Sequence, residues 1–327
     1  MQEASATAAD PAQLRALREG AAVAAPQVRS AIAVTGADHR EWLDRIASNP
    51  VKDLPAGRAA GLTLMDGKGR LRGEFRASSV GVAEGLLLDV PDAARAALMK
   101  ALDIYILREK VQVKDLSAER TWVHVLGPGA GDALRRAALP APQADEALAG
   151  GIVLAALASR HFGTPGADLL VATADAEPLL ARLAQAGAVR VERPALEAQR
   201  IAQGVPWWPA DLADAVIPLE AGLDADVSIT KGCYPGQEVV ARITNLGQVA
   251  RKLLRLSAPG RLELSAGAPL VGTGERAGQD AGKLTSAAWD PLADRTVALG
   301  FLKRAFWPAG TVVRAGPVEL AVAELRP

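Results

Sequence analysis

The stretch "ITKGCYPGQEVVARI", residues 229–243, holds the single cysteine of a chain of 327 residues, Cys233. Gly232 has no Cβ and lets the backbone turn sharply before the thiol. Pro235 suits the first turn of a helix, where its missing N–H would have no partner. A helix that begins there would bring its positive end to Cys233, and Lys231 would add a second positive charge. Both effects favour the thiolate, which is the reactive form of cysteine, so the stretch predicts a turn that presents a reactive thiol.

A second interpretation of Cys233 stays open at this point. A lone cysteine is more often a small buried apolar side chain than a nucleophile. No histidine lies near it in sequence to act as a base, so a Cys–His arrangement of the protease kind is not expected. After Gly236, which lets another backbone or a ligand approach closely, "QEVVARI" predicts a helix with Val239, Val240 and Ile243 inward.

The composition narrows the class of protein. Lys and Arg number 37, as do Asp and Glu, so no overall positive field is present to hold nucleic acid, and direct binding of nucleic acid is not expected. One cysteine forms no internal disulfide and cannot hold an iron–sulfur cluster in the usual way. The histidines His39, His124 and His161 are widely spaced, so no metal site is expected. Neither a signal peptide nor a membrane-spanning run is legible, and we expect a cytoplasmic protein.

The order of strand and helix patterns predicts an α+β protein of several modules. Residues 1–24 are Ala-rich with little periodicity, and we expect a flexible N-terminal tail there. Two similar α+β modules follow, about 25–140 and 141–246, between which strands could be exchanged. From residue 247 onwards short strands alternate with turns and no helix pattern remains, so 247–327 is expected to form a β-barrel.

Two further motifs each have two interpretations. The run "VLGPGAGDAL", residues 125–134, follows a strand pattern and opens a helix pattern. Its glycine spacing differs from that of a dinucleotide-binding fingerprint and Pro128 interrupts it, so a turn is expected. Trp207 and Trp208, which lie between prolines, could form an aromatic wall for a planar ligand or a hydrophobic plug between modules.

Residues 231–238, "KGCYPGQE", resemble the signature of the YgfZ-type folate-binding proteins, a family related to the aminomethyltransferase (T-protein) of the glycine cleavage system. The signature-loop residues are Lys231, Gly232, Cys233, Tyr234, Gly236, Gln237 and Glu238. The stretch "GLTLMDGKGRLRGEF" has two extended arms around Asp66-Gly67-Lys68-Gly69, which predicts a hairpin. This hairpin and the segments "QRIAQGVPWW" and "IPLEAGL" are also similar to that family. The resemblance covers about residues 28–327.

The resemblance implies a fold and a function. The fold would be two ferredoxin-like modules and a C-terminal β-barrel around a central cavity. The cavity would bind tetrahydrofolate or a one-carbon derivative of it. The function would be support for the assembly or repair of iron–sulfur enzymes, including enzymes that modify tRNA. Its partners would be folate and, transiently, iron–sulfur enzymes or cluster-assembly proteins.

The resemblance also nominates residues for the folate pocket. A pterin carries an N–H beside an amino group, so one carboxylate can accept hydrogen bonds from both. The matching position is Asp168 in "GTPGADLLVA", for which an exposed acid at a strand edge is the alternative. Arg200 matches an arginine that faces the cavity in the family. Glu220 would be a third polar contact, and Trp207 would supply the aromatic wall.

One position departs from the T-protein pattern. T-proteins carry a key aspartate just after the hairpin glycines, where this chain has Arg72 and Gly73. Glu74 is adjacent, but strand alternation points it to a different face from its neighbour. We therefore expect a folate-binding maturation factor. A folate-dependent aminomethyl or methyl transferase that uses Glu74 is one alternative, and an interaction scaffold that binds no folate is the other.

Overall fold

The computed structural model describes residues 8–213 and 215–325. The helices, in chain order, are α1 (Pro11–Glu19), α2 (His39–Ile46), α3 (Asp92–Asp103), α4 (Ala130–Arg136), α5 (Ala176–Gln185), α6 (Arg193–Gln203) and α7 (Gln237–Leu246). The strands of the two sheets are β1 (Ala22–Ala24), β2 (Arg29–Thr35), β3 (Ala59–Met65), β4 (Leu71–Ser78), β5 (Gly85–Pro91), β6 (Gln112–Asp115), β7 (Arg120–Leu126), β8 (Ala147–Gly150), β9 (Val153–Ala158), β10 (Gly166–Ala172) and β11 (Val189–Arg190). The remaining strands are β12 (Arg251–Pro259), β13 (Pro269–Gly272), β14 (Asp280–Asp290), β15 (Arg295–Lys303), β16 (Val312–Ala315) and β17 (Val318–Ala323).

The first sheet is antiparallel, with the strand order β3-β4-β5-β2-β6. Its hairpin β3–β4 turns at Asp66, whose Oδ1 accepts hydrogen bonds from the backbone N–H groups of Lys68 and Arg70 at 2.9 and 3.0 Å. Gly69 completes the turn with a φ of +71°, which glycine adopts without strain. The hairpin predicted from Asp66 to Gly69 is therefore confirmed.

Helices α2 and α3 cover one face of the first sheet. Their apolar residues recur every three or four positions, which places them on one side of each helix. Trp42, Leu43, Leu98 and Leu102 are wholly buried there. Burial of each such side chain stabilises the fold by about 1.5–3 kcal/mol.

The second sheet has the strand order β11-β1-β7-β10-β9-β8, and α4 and α5 pack on one of its faces. Its other face meets the open face of the first sheet. Leu87 of the first sheet and Trp122, Leu157 and Leu170 of the second lie in one buried cluster. The two sheets thus form a layered pair, and the polar groups at their junction are shielded from water.

The N-terminal segment differs from the predicted flexible tail. Residues 1–7 lie outside the described residues. In 8–24, Asp10 caps α1, whose Leu14 and Leu17 are fully buried, and β1 lies between β7 and β11. The alanines around Leu14 and Leu17 conceal a short amphipathic helix, and for this reason the periodicity looked weak.

The division between the two modules also differs from the prediction. The chain leaves the first sheet at the end of β6 and enters the second at β7, so the change comes between Asp115 and Arg120 rather than near residue 140. Strand β1 belongs to the second sheet although it precedes the first in sequence. The predicted boundary was wrong because β7 and α4 continue the alternation of strands and helices of the first module, and the sequence pattern does not change between the modules.

Strands β12 to β17 close into a barrel in the order β12-β15-β14-β13-β16-β17. The pairing of β12 with β15 runs without a break from Arg251 opposite Lys303 to Pro259 opposite Arg295. Inward residues such as Leu254 and Leu256 are almost fully buried. Among the described residues, no helix has the length and apolar character that crossing a membrane requires.

Candidate functional site

A cavity of approximately 630 Å³ lies where the two modules and the C-terminal end of the chain meet. Its lining comprises Glu74, Phe75, Arg76, Arg160, His161, Gly163, Gln203, Gly204, Val205, Pro206, Leu212, Ala221, Gly222, Leu223, Asp224, Asp226 and Leu325. Such a volume falls within the range of pockets that hold a ligand of drug or cofactor size. The mixture of apolar walls with a few charged groups suits a ligand with a flat apolar body and polar edges.

Strand β4 supplies the first two polar groups of the cavity. Glu74 and Arg76 are two residues apart and lie on one face of the strand, whereas Phe75 between them is 1% exposed in the core beneath α2 and α3. The strand alternation expected from "GEFR" therefore places Glu74 at the cavity, on the opposite face from Gly73.

A buried carboxylate, Asp89 of β5, joins these groups into a network. It accepts hydrogen bonds from Arg29 Nε at 2.9 Å, Arg76 Nε at 2.8 Å and His161 Nε2 at 3.1 Å. Arg29 also donates to Glu74 at 2.6 Å. Burial alone would raise the pKa of Asp89, but the guanidinium groups of Arg29 and Arg76 outweigh it and hold that pKa well below its usual range.

Asp168 lies in the same network and is completely buried. Its Oδ1 accepts from His124 Nδ1 at 2.7 Å and its Oδ2 from Arg76 Nη2 at 2.7 Å. Burial would raise the pKa of Asp168, but Arg76 and His124 reverse this effect and keep the pKa below its usual range. The exposed-edge alternative is wrong, because β10 lies between β7 and β9. Both carboxylate oxygens are engaged by protein groups, so Asp168 offers a pterin no free acceptor at the cavity wall.

Asp89, His161 and Asp168 bring one ligand atom each within 4.8 Å of one another, as a metal site would require. Arg76 occupies that space, because its Nη2 donates to Asp89 at 2.6 Å and to Asp168 at 2.7 Å. A metal cation would have to displace this guanidinium from between the two carboxylates. The donor set fits an arginine better than a metal ion.

Arg200 does not reach the cavity lining. It is 2% exposed, donates to Asp211 at 2.7 Å and to Ser286 of β14 at 3.0 Å, and lies over the ring of Trp207. The prediction that Arg200 faces the cavity is therefore wrong, because its guanidinium ties α6 to the barrel.

The polar groups of Trp207 and Glu220 are also hydrogen-bonded to other residues of the protein. The Trp207 indole donates to the carbonyl oxygen of His161 at 2.7 Å and packs edge-on against Phe162, which is the plug arrangement. Glu220 accepts from Arg251 Nε of β12 at 3.0 Å. Neither residue belongs to the cavity lining, so both support the walls rather than contact the interior.

Lys231 anchors the signature loop to α2. Its ammonium donates to the carbonyl oxygens of Ala47 and Asn49, both at 2.8 Å, and to that of Asp44. These carbonyls lie at the C-terminal end of α2, where a cation is favoured by the helix dipole. Burial lowers the pKa of Lys231, and Asp44 offsets part of that effect. The charge of Lys231 is thus engaged at a helix end of the first module.

The rest of the signature loop holds its own shape and packs on the β3–β4 turn. The Tyr234 hydroxyl donates to the carbonyl oxygen of Ser228 at 2.6 Å, and Gln237 Oε1 accepts from the Tyr234 N–H at 3.0 Å. Gly236 has a φ of +84°, and a Cβ there would lie 2.9 Å from Gly69 Cα. Glu238 is exposed at the start of α7. The loop is therefore fixed against the first module on two sides.

Cys233 is exposed, so the interpretation of it as a buried apolar side chain is wrong. Helix α7 begins at Gln237 rather than at Pro235, which leaves the thiol outside the first helical turn. Of the three inward positions predicted for α7, Val240 is 1% exposed, whereas Val239 and Ile243 are only partly buried. Asp224 and Asp226 are lining residues, and the chain reaches the signature loop at Lys231 five positions after Asp226. Cys233 thus lies outside the lining, on the segment that continues from the cavity wall.

A second, smaller cavity of approximately 370 Å³ adjoins the first and shares Arg76 and Arg160 with it. Arg160 Nη2 donates to Asp226 Oδ1 at 2.6 Å, and this ion pair stands between the two spaces. Gly61 makes room for it, because a Cβ at that position would lie 1.9 Å from Asp226 Oδ1. The side chain of Arg160 is 40% exposed, which leaves part of the guanidinium available to a ligand.

The sequence analysis missed most of the polar lining. Arg76, Arg160, His161 and Asp226 come from three separate segments, and none belongs to a motif with a recognisable spacing. Alternation along "GEFR" was the one available signal, since it places Arg76 on the same face as Glu74. The others are brought together by the docking of the two sheets.

Comparisons with known proteins agree with the architecture. A family model described as the GCVT N-terminal domain matches residues 2–231. The crystal structure of glycine cleavage system aminomethyltransferase T from Bartonella henselae superposes with a TM-score of 0.84 at 21% identity, over 96% of this chain and 88% of that one. The predicted fold class, two α+β modules and a C-terminal barrel in the T-protein arrangement, is confirmed.

Two curated relatives are more similar in sequence. A chloroplastic protein of Arabidopsis thaliana named as a transferase is 26% identical over 240 residues, 71% of this chain and 54% of that protein. The mitochondrial iron–sulfur cluster assembly factor IBA57 of Homo sapiens is 32% identical over 172 residues, 52% of this chain and 44% of that factor. The chain spans about half the length of these two relatives.

Proposed function

Because the chain belongs to the family of the GCVT N-terminal domain, whose model matches residues 2–231, we propose that it is a folate-binding protein of the YgfZ type. It binds tetrahydrofolate or a one-carbon derivative and supports the assembly or repair of iron–sulfur enzymes in the cytoplasm. The observation that carries this proposal is the cavity of approximately 630 Å³ with charged groups at its wall. A human relative named as an iron–sulfur cluster assembly factor supports the choice of partner.

The residues of the cavity suit tetrahydrofolate by their charge and polarity. A carboxylate accepts the paired N–H donors of a pterin, and Glu74 brings one to the wall. Arginine binds carboxylates in a bidentate manner, and the partly exposed Arg160 suits the glutamate tail of the ligand. Apolar residues such as Leu212 and Leu223 suit the ring system between the two ends.

The lining favours binding without aminomethyl transfer. Glu74 is the carboxylate nearest in sequence to the position of the T-protein aspartate, and it is engaged by Arg29 at 2.6 Å. Burial raises the pKa of Glu74, and Arg29 offsets part of that rise. A transferase that uses Glu74 is the second candidate, since the fold resembles that of aminomethyltransferase T. Turnover of a one-carbon donor by the purified protein, abolished in Glu74→Gln, would favour that candidate.

We propose that Cys233 is the group that contacts a protein partner. It is exposed on a loop held by Lys231 and by the packing of Gly236 on the β3–β4 turn. One thiolate does not retain a cluster by itself, so we propose transient coordination of an iron atom of the client. Effects on tRNA modification would then be indirect, through the modifying enzyme.

Thermal unfolding with and without tetrahydrofolate tests the pocket. A ligand that binds the folded state alone stabilises it by about 2.7 kcal/mol at one hundred times its dissociation constant, so the melting temperature should rise. An unchanged melting temperature at saturating ligand contradicts the folate proposal.

A second experiment tests the role of the signature loop. Cells that carry Cys233→Ser should lose activity of iron–sulfur enzymes while the purified variant still binds folate. Full activity in those cells would contradict the role of the thiol.

A further inference from the structure

The imidazole of His161 carries one nitrogen that the protein engages and one that it does not. Nε2 lies 3.1 Å from Asp89 Oδ2. Nδ1 has no hydrogen-bond partner among the described residues and is not sealed from solvent. His161 is 9% exposed and lines the cavity, so a ligand in the cavity can form a hydrogen bond with Nδ1.

The protonation state of this ring follows from its surroundings. The Asp89 carboxylate only accepts, so Nε2 carries the hydrogen and donates it. Burial, together with the positive charges of Arg29 and Arg76, lowers the pKa of His161 to about 3, so the ring is neutral at physiological pH. Nδ1 therefore carries no hydrogen. The cavity wall presents a pure hydrogen-bond acceptor at this point.

Glu74 presents a second acceptor to the same cavity. Arg29 donates to Oε1, while Oε2 has no partner among the described residues. Glu74 and His161 are linked through Arg29 and Asp89, whose bonds fix both side chains. Acceptors fixed in this way select ligands that offer N–H donors, because an acceptor facing another lone pair leaves both groups unsatisfied.

We infer that His161 is a specificity-determining residue that reads the oxidation state of a pterin, while Glu74 reads its amino edge. This inference rests on the proposed function for the class of ligand. Tetrahydrofolate has N–H groups at N5 and N8 of its reduced ring, whereas folic acid has bare nitrogens at both places. The amino group and the adjacent ring N–H that suit Glu74 are common to both compounds. His161 therefore favours the reduced form, and Glu74 does not distinguish the two.

The test compares the dissociation constants of tetrahydrofolate and folic acid, measured anaerobically with a reductant, for the full-length chain. The wild type should bind tetrahydrofolate at least about tenfold more tightly, the equivalent of one well-made hydrogen bond in a dry site. His161→Phe keeps a planar ring of similar size and removes the Nδ1 acceptor, together with the donor to Asp89. It should weaken tetrahydrofolate about tenfold and leave folic acid nearly unchanged. Glu74→Gln should weaken both ligands by the same factor.

The matched control is His39→Phe, the same histidine exchange on α2 outside the cavity lining, which should preserve the wild-type ratio. Folded His161→Phe with the wild-type ratio overturns the inference. Equal affinity of the wild type for both ligands overturns it without any variant. Absence of binding of either compound to the wild type instead removes the proposed function itself, so the two failures are distinct.

Discussion

Arg76 of the first sheet donates to Asp168 of the second at 2.7 Å, and both side chains are almost completely buried. The same guanidinium donates to Asp89 at 2.6 Å, so one cation balances two carboxylates at the junction of the modules. Charges withdrawn from water in this way are costly unless each is paired. The junction that forms one wall of the cavity therefore depends on Arg76.

Replacement of Arg76 tests this dependence. Arg76→Met leaves Asp89 and Asp168 short of a partner, and we expect a loss of about 3–5 kcal/mol in the free energy of unfolding. Arg72→Met is the matched control on the same strand, since Arg72 is 57% exposed and pairs with Asp66 at the surface. That change should cost about 1 kcal/mol or less. Chemical denaturation measures both, and equal small losses would contradict the account.

The pH dependence of stability follows from the same network. Asp89 and Asp168 have pKa values below their usual range, so their contribution is complete at neutral pH and is lost as the pH falls below about 4. His161 has a pKa of about 3 in the folded chain, whereas the unfolded chain takes up that proton near pH 6.5. Stability should therefore already fall as the pH drops below about 6.5. In His161→Gln the slope between pH 6.5 and 4.5 should be smaller, and an unchanged slope in that variant would be evidence against a buried neutral imidazole.

The glycines of the signature loop differ in what they tolerate. Gly236 has a φ of +84°, and a Cβ there would lie 2.8 Å from the carbonyl oxygen of Asp66. Gly236→Ala should lower the free energy of unfolding by about 2 kcal/mol, because the strained φ alone costs roughly 1–2 kcal/mol. Gly232→Ala should be nearly neutral, since no atom lies within 4 Å of a Cβ at that position. Thermal unfolding of the Gly236→Ala and Gly232→Ala variants tests whether the loop packs on the β3–β4 turn as described.

Lys231 is expected to act as a structural anchor. Lys231→Met removes the donor that serves the carbonyls of Ala47 and Asn49 and should cost about 1–3 kcal/mol. Lys68→Met, on the exposed tip of the β3–β4 turn, is the control and should change stability by less than about 0.5 kcal/mol. If Lys231→Met keeps wild-type stability but loses function in cells, the lysine acts on a partner instead.

The sequence allowed the fold class to be predicted more fully than the site. Local signals were sufficient for the Asp66–Gly69 hairpin, the helix after Gly236 and the barrel, because turn residues and periodicity act over a few positions. The resemblance pointed to the right segments for the pocket. It could not show that the side chains of Asp168 and Arg200 are hydrogen-bonded to residues more than ten positions away along the chain.

The residues that the sequence did not reveal share one physical reason. His161 and Arg160 stand in a loop without a motif, and they become polar lining because the second sheet docks on the first. Their partners Asp89 and Asp226 lie 72 and 66 positions away along the chain. Such pairings are set by packing between modules, which no local pattern encodes.

The central claim is that the cavity between the modules holds tetrahydrofolate. Calorimetric titration of the purified wild type, beside a variant in which the half-buried wall residue Leu223 is replaced by tryptophan, tests it most directly. Leu223→Trp fills the space and leaves the charged network in place. We expect one tetrahydrofolate per wild-type chain and no binding to the variant. Equal binding by both proteins, or no binding by either, would contradict the claim.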